Sequence, residues 1–143
     1  MSVTIFPTNN LKFCEENNLI ETKIEDCLCK DAGCAIPNCH YCQGTGEWTE
    51  QIYPFELNLA NGNFSTLWNS LGLEFDYCGE INSGELLKAV SSLDSELLLR
   101  ANFVDGENFY SFGIDKNQAA RYIKKLHEIC LEALKRGESV TWG

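Results

Sequence analysis

A chain of 143 residues that is 44% hydrophobic is the size of one ordinary domain, which buries roughly 68–70% of its unfolded surface and carries a core without staples. Its formal net charge is −10 and unevenly spread: residues 1–113 hold five basic and seventeen acidic side chains (−12), the remainder six and four (+2). So acidic a body repels phosphate backbones, which argues against nucleic acid as a partner and reads most simply as a solubilising surface.

No apolar run approaches the roughly 20 residues that span a bilayer, and no membrane association is expected. Met1-Ser2-Val3-Thr4-Ile5-Phe6-Pro7 lacks the basic start and apolar stretch of a signal peptide, so a cytoplasmic, reducing location is expected, one that disfavours disulfides.

In chain order, Val3 to Phe6 predicts a short strand ended by Pro7. Residues 8–26 are polar and irregular, with room for a short helix near Leu11 to Leu19. A turn-rich cysteine segment follows, about residues 27–46. Between Gln51 and Ala60, Tyr53, Phe55, Leu57 and Leu59 alternate with Pro54, Glu56, Asn58 and Ala60, which predicts one strand with Pro54 at a sheet edge.

Beyond residue 60 the period becomes helical. Asn63 to Leu71 predicts a helix stopped by Gly72. Asn82, with Glu85 three residues on, caps a second helix whose Leu86, Val90, Leu93 and Leu97 would carry it to about Arg100. Asp105-Gly106 is a turn; a hairpin of 97–103 with 108–113 is the second choice there. The last helix opens on Asp115 and Gln118, carries the apolar stripe Ala119, Ile123, Leu126, Cys130, Ala133 and Leu134, and ends at Gly137. Arg121, Lys124, Lys125 and Lys135 lie on its outer face, and Val140 to Trp142 add a short strand.

Five of the eight cysteines, Cys27, Cys29, Cys34, Cys39 and Cys42, fall within sixteen residues. Two pairs of closely spaced thiols held by turns suit a tetrahedral zinc ion, whose thiolates sit at about 2.3 Å. In Cys39-His40-Tyr41-Cys42-Gln43-Gly44-Thr45-Gly46 the two glycines permit a fold-back in which backbone amides donate to the sulfurs. Cys27 and Cys29 supply the second pair, with nine residues between Cys29 and Cys39. The expected metal ligands are therefore Cys27, Cys29, Cys39 and Cys42, with Cys34 or His40 as a substitute for one of them.

Residues 39–46 match Cys-x-x-Cys-x-Gly-x-Gly, and in this they resemble the cysteine-rich zinc domain of DnaJ-type co-chaperones. The resemblance implies one zinc ion shared by two such repeats. Cys27-Leu28-Cys29-Lys30-Asp31-Ala32-Gly33 would serve as a shortened second repeat. It extends over about a seventh of the chain, and no His-Pro-Asp motif accompanies it, so J-domain activity is not implied. From Pro54-Phe55 to Trp142-Gly143 the chain resembles small bacterial proteins of uncharacterised function.

Four protein ligands leave no position for a water, which favours a structural over a catalytic zinc. His127 and Cys130, at i and i+3, could join Cys14 or Cys78 in a second site, although Cys130 sits in apolar company. Glu15-Glu16 and Glu25-Asp26 read as solvated pairs, and two histidines are too few for a Ser–His–Asp set.

The expected fold is α+β in a single domain, residues 1–143, mostly helical after residue 60 (about 61–137), with a short β element and a cysteine-rich zinc-binding loop. The expected function is a non-enzymatic binding or adaptor module with an unidentified protein partner and a structural zinc. The alternative is a thiol redox protein using Cys39 and Cys42.

Overall fold

The computed structural model describes residues 1–30, 39–93 and 116–143. It is mixed α+β, as expected, and the chain divides into two compact units: Met1–Asn10 with Phe55–Gly143, and Leu11–Pro54. Cys34, the helical extension from residue 94 to 100, the Asp105-Gly106 turn, the alternative hairpin and the Asp115 cap lie outside the described residues. Among the described residues no helix is long and apolar enough to cross a membrane.

The larger unit is built on a four-stranded antiparallel sheet in the order β4-β1-β6-β5, comprising β1 (Ser2–Pro7), β4 (Leu57–Ala60), β5 (Gly79–Ile81) and β6 (Val140–Trp142). Val3 and Ile5 of β1, Leu57 and Leu59 of β4, and Val140 and Trp142 of β6 are buried, while Ser2, Asn58, Ala60 and Glu80 are exposed. This is the alternation of an antiparallel sheet with one face on the core and one toward water. Pro7 ends β1, where a missing N–H costs no central ladder bond.

Among the described residues three helices add to that core: α2 (Asn61–Ser70), α3 (Ser83–Ser92) and α4 (Lys116–Arg136). Phe64, Leu67 and Trp68 of α2, Leu86 and Val90 of α3, and Ala119, Leu126, Ile129, Cys130 and Ala133 of α4 belong to one buried cluster with the strand residues. Each fully buried Leu, Ile or Phe there contributes on the order of 1.5–3 kcal/mol. The buried stripe of α4 includes Ile129, which the sequence reading omits, whereas Leu134 is exposed.

Asn82 caps α3 as expected: its Oδ1 accepts from the N–H groups of Gly84 at 2.9 Å and Glu85 at 3.3 Å. The helix ends at Ser92, where Leu93 turns out of helical conformation with ψ 79°. α2 and α4 end in the same way. Gly72 (φ +72°) and Gly137 (φ +69°) adopt left-handed backbone. The following N–H groups of Leu73 and Glu138 reach back to the carbonyls of Trp68 (3.1 Å) and Ala133 (2.8 Å).

One glycine has a packing reason. Gly79 pairs with Trp142 across β5 and β6, and a Cβ there would run into the Trp142 indole. That indole stacks at an angle on Trp68 with centroids 4.9 Å apart, and its Nε1 donates to the Asp76 carbonyl at 2.9 Å.

The smaller unit holds most of α1 (Asn10–Glu16) and a two-stranded antiparallel ribbon of β2 (Glu21–Asp26) and β3 (Glu47–Ile52). Two residues beyond α1, Asn18 has a positive φ of 52°, and the Leu19 N–H after it bonds the Cys14 carbonyl at 2.9 Å. The alternating stretch from Gln51 to Ala60 is not one strand. It ends β3 and begins β4 in a different sheet, with Phe55 at φ +62°, a backbone no strand can pass through. The ribbon is exposed along nearly all of both strands.

Candidate metal centre

The connection between β2 and β3 carries the cysteines. Cys27 directly follows Asp26, the last residue of β2, and its N–H donates to the Gly46 carbonyl at 2.8 Å, prolonging the ribbon by one bond. A single 3₁₀ turn, Leu28–Lys30, then carries Cys29 round to the same side. On the opposite lobe the Gln43 N–H closes on the Cys39 carbonyl at 2.8 Å, and the Thr45 N–H on that of Cys42 at 3.0 Å. Gln43, Gly44 and Gly46 all have positive φ (50°, 88° and 78°), which is how the fold-back expected of the two glycines is achieved. The Thr45 hydroxyl lies 2.7 Å from the carbonyls of both Cys42 and Glu47 and pins the turn to the start of β3.

These two lobes bring Cys27, Cys29, Cys39 and Cys42 together, with all four sulfur atoms within 4.8 Å of one another, a group that could hold a metal ion. Cys27 Sγ lies 3.6 Å from Cys39 Sγ, and Cys29 Sγ lies 3.4 Å from Cys42 Sγ. Four sulfurs at about 2.3 Å from a central ion stand about 3.8 Å apart along each tetrahedral edge, so the spacing fits. A disulfide would need about 2.05 Å, and none joins any of the seven described cysteines.

The electrostatics favour thiolate on the second lobe. Burial opposes ionisation of Cys42. The N–H of Gly46, the Cys29 thiol and the N–H of Gly44 nonetheless bring it down to about 6. The N–H groups of Cys42 and Tyr41 hold Cys39 below the usual thiol range as well. Cys27 is held above it: the Cys29 N–H pulls down, but burial and the neighbouring thiols of Cys39 and Cys42 outweigh that. Amide donors aimed at sulfur stabilise a negative charge there whether it is met by a proton, a metal or solvent.

His40 is exposed, edge-on to Tyr41 at 5.7 Å, and is not in the group. His127 and Cys130 assemble no second group among the described residues: Cys130 is buried in the core, which pushes its thiol up to about 12, and Cys78 is exposed. Two contributors escape the sequence reading. The Thr45 hydroxyl clamps the knuckle, and Trp48 packs on the cysteines from β3. The cluster of Cys27, Cys29 and Cys42, with Cys39 and Trp48 against it, is the buried apolar cluster found for this unit among the described residues.

Comparison with protein families, with curated proteins and with solved structures finds no match for this chain. The four-cysteine geometry therefore carries the functional reading without support from a family.

Proposed function

We propose that this chain is a small cytoplasmic binding or adaptor module, not an enzyme, in which Cys27, Cys29, Cys39 and Cys42 hold one structural zinc ion that fixes a recognition loop. The observation that carries the reading is the mutual proximity of four sulfurs, two from each of two turns. Zinc is favoured among metals because an all-thiolate tetrahedron in a reducing compartment is its usual structural site. Four protein ligands leave no coordination position for a water, which fits a structural role. The partner is taken to be a protein, with neither nucleic acid nor membrane expected.

The metal would do more here than clamp a loop. A two-stranded ribbon is marginal in water by itself, and this one is exposed on both faces. The cysteine cluster is where its burial lies, so metal binding and folding of residues 11–54 are the same event in this reading.

A second reading, thiol redox chemistry at Cys39 and Cys42, is favoured by the low value of Cys42, about 6. The burial of Cys42 speaks against it, since an attacking thiolate needs access. Metal analysis of purified protein, with Cys39→Ser and Cys27→Ser beside the wild type, separates the two. One zinc per chain, lost in both variants, supports the structural site. A wild-type chain with less than about a tenth of an equivalent, whose thiols cycle with dithiothreitol, supports redox.

A further inference from the structure

The two turns that carry the cysteines each present a large apolar side chain to solvent. Leu28, between Cys27 and Cys29, is 85% exposed, and Tyr41, between Cys39 and Cys42, is 77% exposed. Burial elsewhere in the fold shows that this is not a general shortage of core: Val3, Ile5, Leu59 and Phe64 are almost wholly enclosed. Two bulky apolar side chains held outward by the same turns that draw the thiols inward cost solvation free energy unless something covers them.

Beside the cysteines runs a groove of about 780 Å³, with Leu28, Tyr41 and Trp48 as well as Cys27, Cys29 and Cys39 among its walls and Glu25 and Asp26 along it, where Glu25 is ion-paired with the exposed Lys23 of its own strand. Glu25 and Trp48 are cross-strand partners, so the acidic and aromatic walls are fixed by the ribbon register. Charge decides what fits. Residues 11–54 hold eight acidic and three basic side chains, a net of −5. Four thiolates around a divalent ion add −2.

We infer that this groove receives a short segment of another protein in which a large apolar side chain is flanked by lysines or arginines. The apolar side chain would lie between Leu28, Tyr41 and Trp48, and the cations would meet the acidic edge at Glu25 and Asp26, competing with Lys23 for Glu25 in an exposed pair that is weakly held. A second copy of this face is disfavoured, because two such acidic surfaces repel. An anionic lipid headgroup is disfavoured for the same reason. The inference rests on the metal-binding reading above, which supplies the rigid turns and part of the charge.

The test uses the full-length chain, with metal content measured on every sample. Two dye-labelled twelve-residue peptides, one alternating Leu with Lys and one alternating Leu with Glu, are titrated by fluorescence anisotropy. The Lys peptide is expected to bind at least about tenfold more tightly, and to weaken between about 50 and 300 mM salt. Leu28→Ser with Tyr41→Ser is expected to lose at least about tenfold in affinity while metal content stays unchanged. Glu25→Gln with Asp26→Asn should weaken binding and flatten its salt dependence.

Equal affinity for the two peptides overturns the inference. So does binding untouched by the Leu28/Tyr41 pair, or a pair of substitutions that changes only the sedimentation of the protein. A wild-type chain without metal overturns both readings, whereas a metal-loaded chain indifferent to peptide charge overturns this one alone.

Discussion

The Sγ atoms of Cys29 and Cys42 lie 3.4 Å apart although thirteen positions separate them in sequence. Two backbone turns bring them together. A 3₁₀ turn delivers one sulfur, and a left-handed Gln43-Gly44 turn delivers the other. Sulfurs gathered by turns and unbonded to each other form a group that could hold a metal ion.

Thiol accessibility should follow this division. Cys78 is exposed and should react with a thiol reagent within the mixing phase. Cys130, enclosed in the core with its thiol pushed up to about 12, should stay unmodified at neutral pH until the protein unfolds. The four cluster thiols should be masked, then released together when a strong chelator is added. Four additional thiols per chain on chelation is the expected count. Release of none, with Cys39 and Cys42 already reactive, would count against the metal.

Removing the metal should be felt locally. Hydrogen exchange followed by mass spectrometry is expected to show amides of 21–26 and 47–52 losing protection after chelation, because the ribbon's burial is concentrated at the cysteines and Trp48. Amides of α4 should keep theirs, since Leu126, Ile129 and Cys130 are enclosed by the other core cluster. Equal loss in both regions would mean that the metal supports the whole chain.

Gly46→Ala tests the knuckle itself. Gly46 sits at φ +78°, its N–H bonds the Cys42 sulfur and its carbonyl accepts from Cys27. An alanine in left-handed backbone costs about 1–2 kcal/mol, and escaping that strain breaks both bonds. Competition with a chelator of known affinity should show metal binding weakened by about tenfold. An unchanged affinity would mean that Gly46 is not a structural element of the site.

The two halves of the chain differ in how far their sequence revealed them. Helices could be read because their cues are local: Asn82 at a cap, Gly72 and Gly137 as stops, Leu126 and Cys130 on a repeating stripe. That Cys27, Cys29, Cys39 and Cys42 come together could be read because two closely spaced cysteine pairs in a turn-rich segment are a local cue. β2 could not, since Glu21–Asp26 is exposed on both faces and has no hydrophobic alternation to show. The false strand from Gln51 to Ala60 shows the converse. Tyr53 and Phe55 alternate correctly with their neighbours, but Phe55 turns the chain at positive φ, which no property of phenylalanine announces. Trp48 and Thr45 act through contacts made only once the ribbon is closed.

Glu56 gives a pH signature in the larger unit. Burial raises its carboxyl above the ordinary value, against the opposing pull of the Asn10 amide, which donates to it at 3.4 Å. A raised folded-state value means that the stabilising contribution is full below the unfolded value and is lost as pH rises through the folded one. At neutral pH the ionised side chain is therefore a net cost. Glu56→Gln keeps an acceptor for Asn10 and removes the charge, so it should melt about 1–2 °C above the wild type at pH 7. The two curves should converge as the pH is lowered toward about 4. A variant less stable at pH 7 would refute the sign.

Arg136 closes a polar network where α4 ends. Its Nε donates to Glu132 at 2.9 Å, with only 6% and 14% of the two side chains exposed. Its Nη1 donates to Asn10 Oδ1 at 3.1 Å, and its guanidinium lies 5.2 Å from the centroid of the Phe55 ring. The left-handed Phe55 and the junction after β1 are thus held by one side chain. Arg136→Ala leaves the Glu132 carboxylate shielded and unmatched, which should cost about 3 kcal/mol or more and lower Tm by roughly 10 °C or more. Arg136→Met with Glu132→Leu removes both charges and fills the space, so calorimetry should find most of that loss recovered. If the single substitution costs as little as an exposed pair would, the network does not hold the Phe55 turn. If the double substitution recovers nothing, it is the Asn10 and Phe55 contacts, and not the ion pair, that Arg136 contributes.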